Sequence, residues 1–182
     1  VLRRMGRQVT AERVNGLIER LRGHIERLVL RTTFMVGYPG EREEDFDELI
    51  DFVERIRFER LGAFVFSPEE GTKAAGLDGT VPEEIAAERY ERLMDTQARI
   101  SGDFHQSLVG AEFEMIVDDI DGESGTATGR TYMDAPEIDG NLVAAGSVEE
   151  GAAFLRVRIT GASAYDLEGG IVTAGVSASG NT

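Results

Sequence analysis

Cysteine is absent from this chain of 182 residues, and histidine and long apolar runs are scarce. Without cysteine the chain has no disulfide, no thiolate metal site and no thiol nucleophile. The two histidines, His24 and His105, lie far apart in helix-like stretches, which favours exposed helix residues over metal ligands or a general base. No apolar run reaches the roughly 18 residues that indicate a membrane span. The first residues, VLRRMGR, also lack the apolar region of a signal peptide, so a soluble, cytoplasmic protein is predicted.

Basic residues are few in the last part of the chain. The net charge is −15, and residues 107–182 hold 13 acidic side chains against 3 arginines. A surface of this charge repels phosphate backbones and attracts basic proteins. The charge therefore disfavours nucleic acid as a partner for this part, although adaptation to high salt would give the same composition.

A strand, a Gly-Pro-Gly turn and an acidic helix start are predicted in the segment LRTTFMVGYPGEREEDF. From position 29 to 37 one side of the strand carries Leu30, Thr32, Phe34 and Val36, and the other carries Arg31, Thr33, Met35 and Gly37. An arginine and a threonine are unusual on a packed strand face. This second face is therefore the candidate ligand-binding surface.

The first hundred residues alternate between helix and strand. Thr10 is a candidate N-cap for a helix whose apolar stripe runs from Val14 to Leu28. A second helix follows the Gly-Pro-Gly turn, and Leu61–Ser67 is an apolar strand expected to be buried on both faces. Two strands joined by one helix should pair in parallel. One such unit cannot cover both faces of a parallel sheet, so further strands or an obligate partner are expected, and the chain is interpreted as a fragment.

A long helix from Pro82 to about Ser107 precedes a change of pattern near Val109. After it come five short β-like segments, which suggest a small antiparallel barrel of the oligonucleotide-binding (OB) type. We place the domains at 1–107 and 108–173 and expect a disordered tail at 174–182. The acidic run around Asp121 does not match a calcium loop, because its twelfth position is Gly129, and it is better explained by a hairpin turn.

Six segments, in this order, resemble the C-terminal part of the radical S-adenosylmethionine methylthiotransferases, in particular their RimO branch, which modifies an aspartate of a small-subunit ribosomal protein. The similarity covers nearly all of residues 1–173. The segments are VLRRMGR, LRTTFMVGYPGEREEDFDELIDF, RFERLGAFVFSPEEGTKAA, VPEEIAAERYERLM, DAPEIDG and VRITGASAYDLEG.

The resemblance implies that the first domain is the last part of a partial (β/α) barrel, holding its final two strands. The second domain is similar to the TRAM domain, a small β-barrel that recruits substrate. In the family, S-adenosylmethionine is cleaved at a [4Fe–4S] cluster bound by a C-x3-C-x2-C motif, and cysteines upstream hold a second cluster. This chain has no cysteine, so it is expected to be inactive alone and to need the missing N-terminal part of its enzyme.

The resemblance also implies site residues. Arg31, Thr33, Met35 and Gly37 would form one wall of the S-adenosylmethionine pocket, with Ser67 and Pro68 at its mouth. For Arg31 a structural ion pair, and for Gly37 a simple tight turn, remain open alternatives. Residues 69–72 are interpreted as a solvated loop.

The second domain carries the acidic residues Asp134, Glu137 and Asp139 around Pro136, which would dock the basic ribosomal-protein substrate. A solvated charged connection is the alternative. Two other functions stay open: the tRNA-modifying branch of the family, and a stand-alone binding module without catalysis.

Overall fold

The computed structural model describes residue 1, residues 4–148 and residues 151–172. The chain divides into two compact units, Val1–Ser101 and Gly102–Thr182. Within the described residues, no helix has the length and apolar character needed to cross a membrane. The domain limits drawn from the sequence, 107 and 108, stay a prediction, and the expected tail at 174–182 lies outside the described residues.

Helix α1, Ala11–His24, begins as predicted after Thr10, whose hydroxyl accepts a hydrogen bond from the Arg13 backbone N–H at 3.4 Å. The helix ends earlier than its apolar stripe suggested. The Ile25 N–H still donates to the Leu21 carbonyl, but Ile25 itself has extended backbone angles. Leu28 therefore lies outside the helix, in the connection to the first strand.

Strands β1, Arg31–Val36, and β2, Arg60–Val65, pair in parallel, as the helix between them required. The register places Thr33 beside Gly62 and Met35 beside Phe64. Helix α2, Glu43–Ile56, makes the crossover, and its first turn carries Glu43, Glu44 and Asp45, where negative charge favours the helix dipole.

The core of the first unit lies on one face of this two-stranded sheet. Its fully buried members come from β1, α2 and α3, and are Val36, Phe46, Val53, Leu93 and Ile100. Phe34 from β1 and Leu61 and Ala63 from β2 pack against them. The side of β1 that carries Phe34 and Val36 is therefore the side that the helices cover.

The prediction that β2 is buried on both faces is wrong. Phe64 is 47% exposed and Gly62 is exposed, whereas Leu61 and Ala63 contact the core. The described helices that pack on the sheet contact the Leu61 face. An apolar strand sequence cannot by itself say whether a second layer covers its other face.

Helix α3, Glu83–Ser107, has the predicted bounds within one residue, and Ala86, Leu93 and Ile100 are buried along it. His24 is exposed, as predicted. For His105 the prediction of exposure is wrong, since it is only 1% exposed and its Nδ1 lies 3.0 Å from the Ser163 carbonyl oxygen. Both residues belong to the second unit, and a turn distant in sequence covers the imidazole.

The second unit contains a closed barrel of five strands, which confirms the predicted small barrel. The strands are β3 Glu112–Asp121, β4 Thr126–Arg130, β5 Leu142–Ala145, β6 Phe154–Ala162 and β7 Leu167–Ile171. Their order around the barrel is β3-β4-β5-β7-β6. The expectation of a wholly antiparallel barrel needs correction, because β5 and β7 pair in parallel and close the ring.

Alternate residues of these strands fill the barrel. Its most deeply buried side chains are Met115, Ala127, Leu142, Ala144, Val157 and Ile159. The outward positions carry charge, with Arg158 pairing Glu112 and Arg130 making a bidentate pair with Asp118. This alternation of apolar and charged positions is the pattern from which the strands were predicted.

Candidate functional site

The carboxyl ends of β1 and β2 meet at one edge of the sheet, where the sequence placed the ligand site. The Phe66 N–H donates to the Val36 carbonyl at 2.8 Å, which extends the strand pairing by one bond. Beyond it the rings of Tyr38 and Phe66 pack edge to face with centroids 5.2 Å apart. The two connections that leave this edge are therefore held together from their first residues.

Gly37 lies at the turn after β1 with a φ of +76°. A Cβ at this position would lie 2.7 Å from the Cβ of Ala86 in α3. The absence of a side chain thus allows the backbone to approach a helix, in addition to any approach to a ligand. Of the two interpretations of residues 37–41, a tight turn is what the geometry directly displays, since the Glu41 N–H donates to the Tyr38 carbonyl at 2.9 Å.

A buried ion pair stabilises this turn, and sequence reasoning missed it. Glu41 Oε1 accepts from the Gly37 N–H at 3.0 Å and from Arg89 Nη1 at 2.8 Å. Both Glu41 and Arg89 side chains are 5% exposed. The available signal was Arg89 itself, an arginine three residues after Ala86 and four before Leu93, within the apolar stripe of α3.

The ion pair continues into a network at the start of α2. Glu43 accepts from Arg89 Nη2 at 2.9 Å and from Arg92 Nη1 at 2.8 Å, and Arg92 also reaches Asp47 at 3.2 Å. Hydrogen bonds from Arg89 and then Arg92 hold the pKa of the Glu43 carboxyl below its usual value. The network joins α2 to α3, and its charges are paired with one another.

The open face of the sheet carries three of the predicted cofactor residues. Arg31 and Thr33 are exposed and Met35 is partly buried. A Cβ on the paired Gly62 would lie 3.9 Å from Thr33 Oγ1, so the space beside the hydroxyl is open. Phe64, beside Met35 in the register, adds an exposed aromatic ring that the sequence interpretation had placed in the core. The face thus combines a guanidinium, a hydroxyl, a thioether and a phenyl ring.

Ser67 and Pro68 follow β2 and are both exposed. The next residues form a turn in which the Thr72 hydroxyl donates to the Glu69 carbonyl at 2.8 Å and accepts from the Ala75 N–H at 3.3 Å. Further on, the Gly79 carbonyl accepts from the Gly40 N–H at 2.7 Å, so the loop returns to the turn after β1. The loop after β2 is therefore hydrogen-bonded to the turn after β1, whereas Ser67 and Pro68 are exposed to solvent.

The predicted docking residues divide into two kinds. Asp134 accepts hydrogen bonds from the Thr131 N–H and hydroxyl, and Asp139 accepts one from the Ala135 N–H at 2.6 Å. Both carboxylates therefore stabilise their own loop. Glu137 is exposed, and so is the neighbouring Ile138, which the sequence analysis did not select.

The acidic run at the end of β3 forms a turn, in agreement with its interpretation as a hairpin. The Asp121 carboxylate accepts from the Ser124 hydroxyl at 2.7 Å and from the Glu123 N–H at 2.9 Å. These hydrogen bonds, with the Ser124 contact the strongest, lower the pKa of Asp121. In the part of the chain that the structure describes, no group of three or more acidic or histidine side chains is placed to hold a metal ion.

Comparison with known proteins identifies the barrel. The family model of the TRAM domain matches residues 109–172, which spans all five barrel strands. The match begins just after α3 ends.

Nearly the whole chain is similar to proteins named ribosomal protein uS12 methylthiotransferase RimO. The protein of Thermosipho africanus is 46% identical over 172 residues, which cover 94% of this chain and 39% of that protein. The protein of Thermosipho melanesiensis is 44% identical with the same coverage. That of Carboxydothermus hydrogenoformans is 44% identical over 93% of this chain and 39% of its own length. The chain spans about two fifths of the length of the relatives it matches. It is similar over nearly its whole length to these RimO proteins, and its residues 109–172 match the TRAM domain.

Proposed function

We propose that this chain is the C-terminal part of a methylthiotransferase that adds a methylthio group to an aspartate of the ribosomal protein uS12 in the cytoplasm. The observation that carries the proposal is the 44–46% identity, over 93–94% of the chain, to relatives named ribosomal protein uS12 methylthiotransferase. The match covers 39% of each relative, and in this proposal the remaining parts of the reaction come from residues outside this chain.

The first unit would supply the last two strands of a partial (β/α) barrel. Two features support this assignment: β1 and β2 are parallel, and their described helices pack on one face. Thr33 and Phe64 are exposed on the other face, which in a barrel would point into the interior. Phe64 is 47% exposed on this face, and further strands of a barrel would cover it.

S-adenosylmethionine fits the open face in chemical terms. Arg31 and Thr33 offer donors to its carboxylate or ribose, Met35 and Phe64 offer apolar contact to the adenine, and Ser67 and Pro68 would border the mouth. Gly37 would contribute through its backbone at most, because the place of its missing side chain is taken by Ala86. When bound, this cofactor supplies the radical chemistry of the family.

The iron–sulfur clusters of the family do not fit this chain. A [4Fe–4S] cluster is held by cysteine thiolates, and the sequence contains none. We therefore assign no step through a cluster to these residues and propose that the chain is inactive by itself. Its contribution would be one wall of the cofactor pocket and the recruitment of substrate.

The barrel would recruit the substrate, as a TRAM domain whose charge suits a basic protein. Residues 109–172 contain 13 acidic side chains and 3 arginines, of which Arg130 and Arg158 are paired with Asp118 and Glu112. This surface attracts a basic ribosomal protein and repels a tRNA backbone.

A chimeric enzyme tests the proposal. The matched segment of the Thermosipho africanus protein would be replaced by this chain, the clusters reconstituted, and uS12 analysed by mass spectrometry for the added methylthio group. We expect modification by the chimera and none by the isolated chain. A folded, cluster-loaded chimera that leaves uS12 unmodified, or that modifies tRNA instead, would overturn the proposed function.

A further inference from the structure

The connection from β4 to β5, residues 131–141, is held rigidly at its start. Asp134 Oδ2 accepts from the Thr131 N–H at 3.0 Å and from the Thr131 hydroxyl at 2.8 Å. Thr131 is only 3% exposed, and its hydroxyl also accepts from the Met133 N–H at 3.2 Å. The first four residues of this loop thus form one hydrogen-bonded unit anchored in the barrel.

A second carboxylate fixes the middle of the loop. Asp139 Oδ2 accepts from the Ala135 N–H at 2.6 Å, and the Ala135 carbonyl accepts from the N–H groups of Ile138 and Asp139 at 3.4 and 3.3 Å. One side-chain hydrogen bond and two backbone hydrogen bonds therefore close the turn between Ala135 and Asp139. Its two ends cannot separate without breaking these bonds.

The end of the loop is held against a neighbouring turn. Gly140 lies so close to the Tyr165 carbonyl that no Cβ would fit there. The Asn141 N–H donates to Asp166 Oδ1 at 2.9 Å, and the Leu167 N–H donates to the Asn141 carbonyl at 2.9 Å. A loop fixed at its start, middle and end has little conformational entropy left to lose.

The tip of this rigid loop presents a side chain that a soluble domain normally buries. Ile138 is 76% exposed, the highest value among the large apolar side chains that the structure describes. The preceding Glu137 is exposed and has a φ of +62°, a conformation that residues other than glycine seldom adopt. Residues held in sparsely populated backbone conformations by their surroundings occur often at binding sites.

We infer that Ile138, with Glu137 beside it, is the anchor by which the barrel docks a basic segment of its protein substrate. The inference rests on the proposed function and deepens it, since it replaces an acidic patch of three residues with an apolar anchor and one carboxylate. Asp134 and Asp139 position the anchor through the loop. A preorganised loop tip loses little entropy on binding, which is how few contacts can give useful affinity.

The charge around the anchor determines which partner it suits. Glu137 is the exposed carboxylate of the tip, and the barrel that carries it has an excess of ten acidic side chains over basic ones. A basic protein segment is drawn to such a surface, and an apolar depression in that segment would receive Ile138. Nucleic acid offers neither favourable charge nor an apolar recess of this kind.

Binding of the chain to purified uS12, followed by fluorescence anisotropy at two salt concentrations, tests the inference. We expect Ile138→Ser to weaken binding about tenfold or more, as anchor residues do. The matched control is Val109→Ser, which removes a 39% exposed apolar side chain outside the loop and should leave binding within about twofold. Glu137→Gln should weaken binding more than Glu123→Gln, which makes the same charge change in the β3–β4 turn.

The outcomes separate the two proposals. If the unaltered chain binds uS12 and the Ile138→Ser variant binds it with the same affinity, the inferred role of Ile138 is overturned and the proposed function is kept. A wild-type chain that binds no uS12, or binds tRNA in its place, would overturn both. Thermal melting of each variant shows whether it is folded, and a 76% exposed side chain gives no reason for Ile138→Ser to unfold the barrel.

Discussion

Glu41 and Arg89 form an ion pair of 2.8 Å in which both side chains are 5% exposed. The same Glu41 oxygen accepts the N–H of Gly37, so the pair fixes the turn after β1 to the third helix. Buried pairs contribute little relative to an apolar replacement, but the loss of one partner leaves a charge without compensation.

Replacement of Arg89 by methionine should therefore destabilise the first unit strongly. We expect a loss of roughly 3–5 kcal/mol in the free energy of unfolding, because Glu41 would remain buried and unpaired. Urea denaturation measures it. The control is Arg99→Met, which breaks an exposed pair with Glu54 (69% and 49% exposed side chains) and should cost less than about 1 kcal/mol. Equal losses in the two variants would contradict a special role for the buried pair.

Glu43 should make the stability of the first unit depend on pH. Its pKa in the folded chain is lowered from 4.5 by hydrogen bonds from Arg89 and Arg92. A carboxyl whose pKa is lower in the folded chain than in the unfolded chain stabilises the fold at pH values above its unfolded pKa. This contribution disappears as the pH falls through the folded pKa. Glu43→Gln should thus be less stable than the parent chain near neutral pH, and the difference should shrink as the pH falls below 4.5. A difference that stays constant across this range would rule out the linkage.

Gly37→Ala should destabilise the turn for two reasons. The position has a φ of +76°, and the added methyl would lie 2.7 Å from the Ala86 Cβ. Together these should cost roughly 2–5 kcal/mol of unfolding free energy. Gly71→Ala is the control, with a φ of +82° and open space around it, and should cost only about 1–2 kcal/mol. Adding Ala86→Gly should recover part of the Gly37→Ala loss, and a purely additive double variant would show that contact with Ala86 is not the cause.

Asp134→Ala should destabilise the barrel by about 1–3 kcal/mol, because the buried Thr131 loses its acceptor. Asp119→Ala, at an exposed position of β3, should change stability by about 0.5 kcal/mol or less. Chemical denaturation compares them. If Asp134→Ala left stability intact while weakening uS12 binding, Asp134 would be a docking residue in its own right.

Thr33→Val should weaken S-adenosylmethionine binding in the chimeric enzyme about tenfold if its hydroxyl bonds the cofactor. Thr32→Val is the matched control on the same strand, since Thr32 lies on the opposite side of β1. Equilibrium binding of the cofactor to the cluster-loaded chimera provides the measurement. Equal affinities of the two variants would remove Thr33 from the candidate pocket.

Local pattern was enough to predict much of this structure. The alternation in β1 separated its two faces, because successive strand residues point to opposite sides whatever surrounds them. The single helix between β1 and β2 required parallel pairing, and the five short alternating segments predicted the barrel. In each case the signal lies within a few consecutive residues.

What the sequence by itself determined about this protein is the order of its elements, the acidic barrel, the absence of cluster ligands and the family resemblance. Only the tertiary structure decided which polar residues are buried: Arg89 pairs with Glu41 across 48 residues, and His105 meets Ser163 across 58. The tertiary structure also decided that Asp134 and Asp139 accept hydrogen bonds within their own loop and that Ile138 is exposed at the loop tip. The reason is that burial and pairing depend on neighbours brought together from distant parts of the chain, which local periodicity does not record.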